Sequence, residues 1–194
     1  MGAILAGGAA RRLGGEKAAR EVGDRPLAAY PAEALASVAA VVALVGKHGG
    51  DLPALPGVEL WDGEPPEPRH PAVGIAYALE RAGDAVLVCA ADMPFVGARE
   101  CRALVEAAGG TGAPFARAAV ADAGGDLEPL LGVYPQGARD ELHRGALQGR
   151  PMRVLAAELD PIRVELPERA LQSINTPEQL AAAERELRQP RSST

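Results

Sequence analysis

MGAILAGGAARRLGGEK, residues 1–17, decides how the rest of the chain is read. Residues 2–6 are small or apolar and suit a short buried strand. Gly7, Gly8, Gly14 and Gly15 then alternate with Arg11, Arg12 and Lys17, a mixture that neither a core strand nor a surface helix needs. A strand that stops at a glycine pair and runs into a cation-bearing loop offers backbone N–H groups at the carboxyl edge of a sheet, where α/β folds bind anions. Two common phosphate loops are excluded directly. Walker A fails because the one Gly-Lys pair, Gly46-Lys47, is followed by His48, and the dinucleotide fingerprint G-x-G-x-x-G does not occur in residues 7–15. On these residues alone, a tight turn flanked by solvated arginines stays open as the competing reading.

Outward from this stretch, apolar runs alternate with helical patterns. VAAVVALVG (38–46) and DAVLVCAAD (84–92) are continuous hydrophobic strands of the kind buried on both faces of a parallel sheet. Helical spacing predicts helices over 25–38, despite Pro31, over 71–83, ending at Gly83, and over 99–109. PLLGVYP (129–135) and PIRVEL (161–166) read as shorter strands. GDLPALPGVELWDGEPPEPRHP (50–71) concentrates prolines and reads as a loop around a short strand VELW, serving as a rim or lid or as a passive connection. Near the end, Thr176 is placed as N-cap, Pro177 at the first helical position, and Gln179 at the third to close a capping box. The rhythm predicts an α/β chain: a single-domain Rossmann-like fold over residues 1–188, its mainly parallel central sheet flanked by helices, with 189–194 as a disordered tail.

Composition narrows the partners. At 194 residues and 47% hydrophobic, the chain can bury one sizeable core. A net charge of −6 and a pI near 5.2 exclude a broad basic face for nucleic acid or anionic membrane. One local basic locus remains: Arg11, Arg12, Lys17, Arg20 and Arg25 outnumber Glu16, Glu21 and Asp24 around the glycine loop, which suits a few phosphates. Cys89 and Cys101 lack a metal-ligand spacing, and Cys89 in AVLVCAA reads as a buried free thiol. No apolar run is long enough for a membrane span, and Gly7 and Gly8 interrupt the first one, so a cytoplasmic protein is expected.

The loop LAGGAARRLGGEKAAR (5–20) resembles the L-A-G-G-x-x-x-R-x-G-x-[DE]-K signature of the MobA-like nucleotidyltransferases, the family of molybdenum cofactor guanylyltransferases. Further segments follow in family order. GDRPLAAYPAEAL is similar to the G-x-x-P-L segment, AADMPFV to C-D-x-P-[FY], EPLLGVYP to H-P-x-x-x-x-[YF], and SINTPEQL to N-x-N-T-P-E-[DE]-L. The resemblance implies a nucleotidyltransferase fold and an enzyme joining GMP from GTP to the phosphate of molybdopterin cofactor, with Mg²⁺ as cofactor. It implies as partners GTP, the molybdopterin cofactor and, transiently, proteins that supply or accept that cofactor. Residue by residue, it implies that Leu5, Ala6, Gly7 and Gly8 grip base and phosphates through main-chain atoms. Arg12 and Lys17 are the implied phosphate-binding cations, Asp62 a nucleotide contact, Asp92 the magnesium-binding aspartate, and Asn175 a residue on the second substrate's side.

The chain departs from the pattern at Glu16, which replaces an aspartate, at RHPAVG (69–74) for G-P-L-A-G, at Ala43 or Leu44 for a nucleotide-contacting asparagine, and at Ser173. Base and acceptor therefore stay open: CTP, a phospholactate or a sugar phosphate are alternatives, as is a nucleotide-binding protein without turnover. Trp61 and Arg69 read as surface packing, and Glu128 and His143 as structural. The chemistry itself needs no protein nucleophile, because an acceptor phosphate attacks the α-phosphorus and pyrophosphate leaves. The protein's task is to suppress repulsion between two anions.

Overall fold

The computed structural model describes residues 1–6, 9–10, 15–109 and 115–188, so the tail expected at 189–194 lies outside the described residues. The apolar opening folds as β1 (Gly2–Leu5). Ala9–Ala10 (β2) and Gly15–Glu16 (β3) then pair as an antiparallel ribbon, and Lys17–Ala19 forms a single 3-10 turn. A second small ribbon, β4 (Glu21–Val22) with β5 (Arg25–Pro26), leads into α1 (Ala29–Ala36). There follow β6 (Val42–Lys47), β7 (Val58–Glu64), α2 (Pro71–Ala82), β8 (Val86–Ala90), α3 (Ala98–Ala107), β9 (Ala119–Ala123) and β10 (Asp126–Tyr134). The last elements are α4 (Arg139–Leu147), α5 (Met152–Glu158), β11 (Ile162–Glu165) and α6 (Pro177–Leu187).

The main sheet has seven strands in the order β11-β9-β10-β8-β1-β6-β7. β1 lies parallel to both β6 and β8, β6 to β7, and β11 to β9, while β10 runs against both of its neighbours. The mainly parallel α/β sheet read from the apolar runs is thus present, reversed only at β10. A hairpin makes the reversal: Gly124 and Gly125, between β9 and β10, have φ of 59° and 96°, the left-handed pair that a two-residue hairpin turn requires.

Both faces of the sheet are dry. On one face Ile4, Leu44, Cys89 and Leu131 pack with Leu35 of α1 and Leu104 of α3. On the other, Ala3, Val45 and Val88 pack with Ile75 and Leu79 of α2, Leu142 of α4 and Leu155 of α5. Double-sided burial is what the uninterrupted runs demanded. Cys89 and Cys101 are free and buried, and burial pushes both thiols up, Cys101 to about 12, so neither serves as a nucleophile near neutrality. Among the described residues no helix is long and apolar enough to cross a membrane.

Local chemistry sets the boundaries. At α6 the capping box forms as read: Thr176 Oγ1 accepts the Gln179 N–H at 3.2 Å, and Gln179 Oε1 accepts the Thr176 N–H at 3.1 Å. α1 is shorter than the span 25–38, because residues 25–26 are taken up by the ribbon with 21–22. Pro31 falls in its first turn, where no intrahelical N–H is lost. VELW is the start of a longer strand, and β7 forms an edge of the main sheet, paired with β6. Trp61, read as surface packing, is instead buried within the α2-side core, its Nε1–H donating to Glu59 at 2.9 Å.

Asp122 pins the other end of the sheet. It is 3% exposed, its Oδ2 accepts from Arg163 Nε at 2.5 Å, and its Oδ1 accepts the Gly125 N–H at 2.7 Å. Burial favours the neutral acid, but the Gly125 amide and the Arg163 guanidinium outweigh it and hold the carboxyl below its ordinary value. Such a group adds stability that is whole above the unfolded aspartate value, near 3.9, and is lost as pH falls through the folded value. Asp122→Asn should therefore lower the melting temperature at neutral pH, and the gap to the unaltered chain should narrow once pH drops below about 3.9. Thermal melts across that range check this, and a gap that stays constant into acid would refute it.

Candidate functional site

The chain leaves β1 to build β6 and β7 on one side, then returns through α2 to place β8 on the other. Strand order therefore reverses between β1 and β8, and open α/β sheets bind ligands outside the carboxyl ends of the strands at such a point. Two segments emerge there side by side: the glycine loop after Leu5, and the turn carrying Asp92 after β8. The Ala91 N–H donates to Leu5 O at 3.0 Å and the Ala6 N–H to Val45 O at 2.9 Å, so the end of β1 is held from both sides.

Of the residues singled out in the sequence, Leu5 is half-buried and Ala6 buried at this junction. Gly7, Gly8 and Arg12 lie outside the described residues, as does the side chain of Lys17, whose backbone opens the 3-10 turn. Asp92 is half-buried, and its carbonyl accepts the Ile174 N–H at 2.9 Å. That bond brings the segment before α6, and with it Asn175, to the side of Asp92. Asn175 is exposed and donates its N–H to Gln179 Oε1 at 2.7 Å, so its backbone belongs to the helix cap. Asp62 is exposed on β7 with a carboxylate oxygen 3.6 Å from His48 Nδ1. With β6 and β1 between β7 and β8, Asp62 stands three strand spacings from the strand leading to Asp92, about 14 Å along the same rim. The fold thus gathers Leu5, Ala6, Asp92 and Asn175 and sets Asp62 at the far end of one continuous edge.

Two further charged residues at this edge, Lys47 and Glu64, have no local sign in the sequence, and a third, Glu128, reads there as structural. Lys47 Nζ donates to Glu64 Oε1 at 3.0 Å and to Pro65 O at 2.6 Å, and Glu64 is only 5% exposed. A Cβ at Gly74 would lie 3.3 Å from Leu5 Cδ2 and 3.4 Å from Glu64 Oε2, so the first turn of α2, the end of β1 and the Glu64 carboxylate close on one another. The substituted segment RHPAVG therefore forms a wall here. His70 within it caps α2, Nδ1 accepting the Ala72 N–H at 3.2 Å while Nε2 lies 2.8 Å from Arg150 O, which fixes the tautomer with the proton on Nε2.

The third is Glu128. Half-buried at the start of β10, it accepts the Leu130 N–H on Oε1 at 3.2 Å. Leu131 pairs with Cys89, and Glu128 lies just before it on β10, at the carboxyl end of β8, where the chain goes on to Asp92. Burial pushes its carboxyl above the ordinary value against the pull of the Leu130 amide and Arg153, and the charge of Asp92 adds to the rise. Its one trace in the sequence was a glutamate where the resembled motif has histidine before proline.

The chain matches the MobA-like NTP transferase domain over residues 2–162. The molybdenum cofactor guanylyltransferase of Cereibacter sphaeroides is 34% identical, with 97% of each chain covered. Among solved structures, molybdopterin-guanine dinucleotide biosynthesis protein A from Archaeoglobus fulgidus superposes with a TM-score of 0.69 at 25% identity, over 96% of this chain and 97% of that one. The 2-C-methyl-D-erythritol 4-phosphate cytidylyltransferase of Thermus thermophilus also gives a TM-score of 0.69, at 21% identity over 96% of this chain and 98% of that one, a likeness of fold alone.

The Lys47–Glu64 ion pair ties the end of β6 to the end of β7. Removing the cation strands a buried carboxylate, so Lys47→Met should cost roughly 3 kcal/mol, the lower end for a buried pair because Lys47 keeps some contact with water. Adding Glu64→Leu should recover part of that loss. Chemical denaturation of the single and double variants measures both, and a single variant as stable as the unaltered chain would contradict the pairing.

Proposed function

Because the chain belongs to the MobA-like NTP transferase family, we propose that it works as a molybdenum cofactor guanylyltransferase, joining GMP from GTP to the phosphate of molybdopterin cofactor and releasing pyrophosphate. One observation carries the reading: the glycine loop and Asp92 leave adjacent parallel strands at the switch point of the sheet, where a triphosphate can meet both. In the reaction an oxygen of the acceptor phosphate forms a bond to the α-phosphorus while the bond to the bridging oxygen of pyrophosphate breaks. An ionised acceptor needs no general base, and the histidines do other work or stand apart: His48 faces Asp62, His70 caps α2 and His143 lies on α4.

Main-chain groups from Leu5 to Gly8 hold base and phosphates in this reading, Arg12 and Lys17 neutralise the triphosphate, Asp62 reaches the nucleoside end, and Asn175 borders the acceptor. Asp92 would hold Mg²⁺, and a rim that presents carboxylate oxygen suits that ion. Among the described residues no group of three or more His, Cys, Asp or Glu converges into a cage. One or two carboxylates with phosphate oxygens and water are the usual magnesium shell. Bound there, the ion supplies positive charge where the transferring and leaving phosphates need it. A cytoplasmic setting, where the cofactor is received from and passed to other proteins, completes the proposal.

Two measurements test it. With molybdopterin cofactor as acceptor, pyrophosphate release from each of the four NTPs should favour GTP over CTP by about 10² in kcat/KM, since each buried polar group left unpaired by the wrong base costs roughly 1–3 kcal/mol. A preference for CTP would overturn the guanine reading. Lys17→Ala should lower turnover by about 10²- to 10³-fold, the scale of losing one charge-assisted contact made in the transition state, while circular dichroism shows an unchanged fold. Near-normal turnover would remove Lys17 from the phosphate site.

A further inference from the structure

The geometry points to Glu128 as a second carboxylate of the metal site, standing with Asp92 at the carboxyl end of β8 and sharing the ion with it. The inference rests on the reading of Asp92 as the magnesium-holding residue and deepens it.

Several independent features place Glu128 there. Among the described strands of the main sheet, β10 alone runs against its neighbours, so its first residues, and not its last, lie beside the carboxyl end of β8. The charges of Asp92 and Glu128 both reach the Cys89 thiol on β8, and that of Asp92 reaches Glu128, in keeping with this placement at the strand's end. The pairing of β10 with β9 shifts register between Glu128 and Gly132, a bulge of the sort that re-aims a side chain at the edge of a site. Tyr134, fully buried, donates its Oη–H to Pro129 O at 2.7 Å and so fixes the backbone next to Glu128.

Apart from the Leu130 N–H, the described surroundings of Glu128 give its charge no partner. Among the described residues no lysine or arginine forms an ion pair with it, and Arg153, whose charge reaches it, stands 3.6 Å from Asp126. A half-buried carboxylate held beside a second one is repelled by it in the free protein. A hard divalent ion between them removes that repulsion and satisfies the magnesium preference for one or two carboxylates plus phosphate oxygens. The glutamate standing where the resembled motif has histidine makes this a property of the present chain.

The test reads metal binding rather than turnover. Mn²⁺ is titrated into the full chain with a non-hydrolysable GTP analogue and followed by electron paramagnetic resonance, for the unaltered protein, Glu128→Gln and Asp92→Asn. Glu128→Gln should weaken Mn²⁺ binding by roughly tenfold or more, the scale on which partners of a metal site act. If Asp92→Asn weakens binding while Glu128→Gln leaves it unchanged, Glu128 is not a ligand and the Asp92 reading stands. If neither substitution changes it, both readings fall. Should Glu128→Gln not fold, the unaltered chain answers the question: Fe²⁺ with ascorbate and hydrogen peroxide cuts backbone close to the bound ion. Cuts near both Asp92 and Glu128 support the shared site, and cuts near Asp92 alone overturn it.

Discussion

Gly2–Leu5 bonds to Val42–Val45 on one side and to Leu87–Ala90 on the other, parallel in both directions. A strand with parallel neighbours on both edges has no edge to offer water, and its side chains alternate between two faces that must each be covered. Parallel neighbours need crossovers, and the crossovers are the covers: α1 lies between β1 and β6 in sequence, and α2 between β7 and β8. They pack on opposite faces, Leu35 with Ile4 and Leu44, Ile75 with Ala3 and Val45. The same pairing sends the loop after β1 and the turn after β8 out of the sheet together. Fold and candidate site are two results of one bonding pattern.

The electrostatic plan of the rim follows from the chain's charge. A protein with a net charge of −6 that handles polyanions has to confine its cations to where they are used and keep its carboxylates occupied elsewhere. Glu64 is neutralised by Lys47, and Asp122 by Arg163 and the Gly125 amide. Glu128 instead is raised above its ordinary value by burial, and the like charge of Asp92 adds to the rise. That contrast, between carboxylates already matched and one held near a like charge, separates scaffold from site more sharply than exposure does.

How much of this was legible depended on whether the information was local. β1, β6 and β8 were plain because strands buried on both faces must be apolar throughout, and α6 because Thr176, Pro177 and Gln179 state a cap in consecutive letters. β9 is not legible locally, since AVADA is alanine-rich with an aspartate whose partner, Arg163, is remote in sequence. The Gly124-Gly125 pair was its readable sign. α4 and α5 are short and charged, and their apolar contacts, Leu142 and Leu155, are too few to make a strong period. Within the site, Asp92 could be found from its position after an apolar strand. Lys47 with Glu64, and Glu128 with Asp92, could not, because each pair depends on strand register, which no local pattern encodes.

The bond from the Ile174 N–H to the Asp92 carbonyl joins the last helix's approach to the turn after β8. It has a bearing on how the molecule is born. As the chain leaves the ribosome, β1, β6 and β8 can pair soon after they emerge, since they lie within the first 90 residues. The turn that bears Asp92 lacks its clamp until residue 174 has been made. The central strands are therefore early products of synthesis, and the hold on the turn that carries Asp92 is a late one.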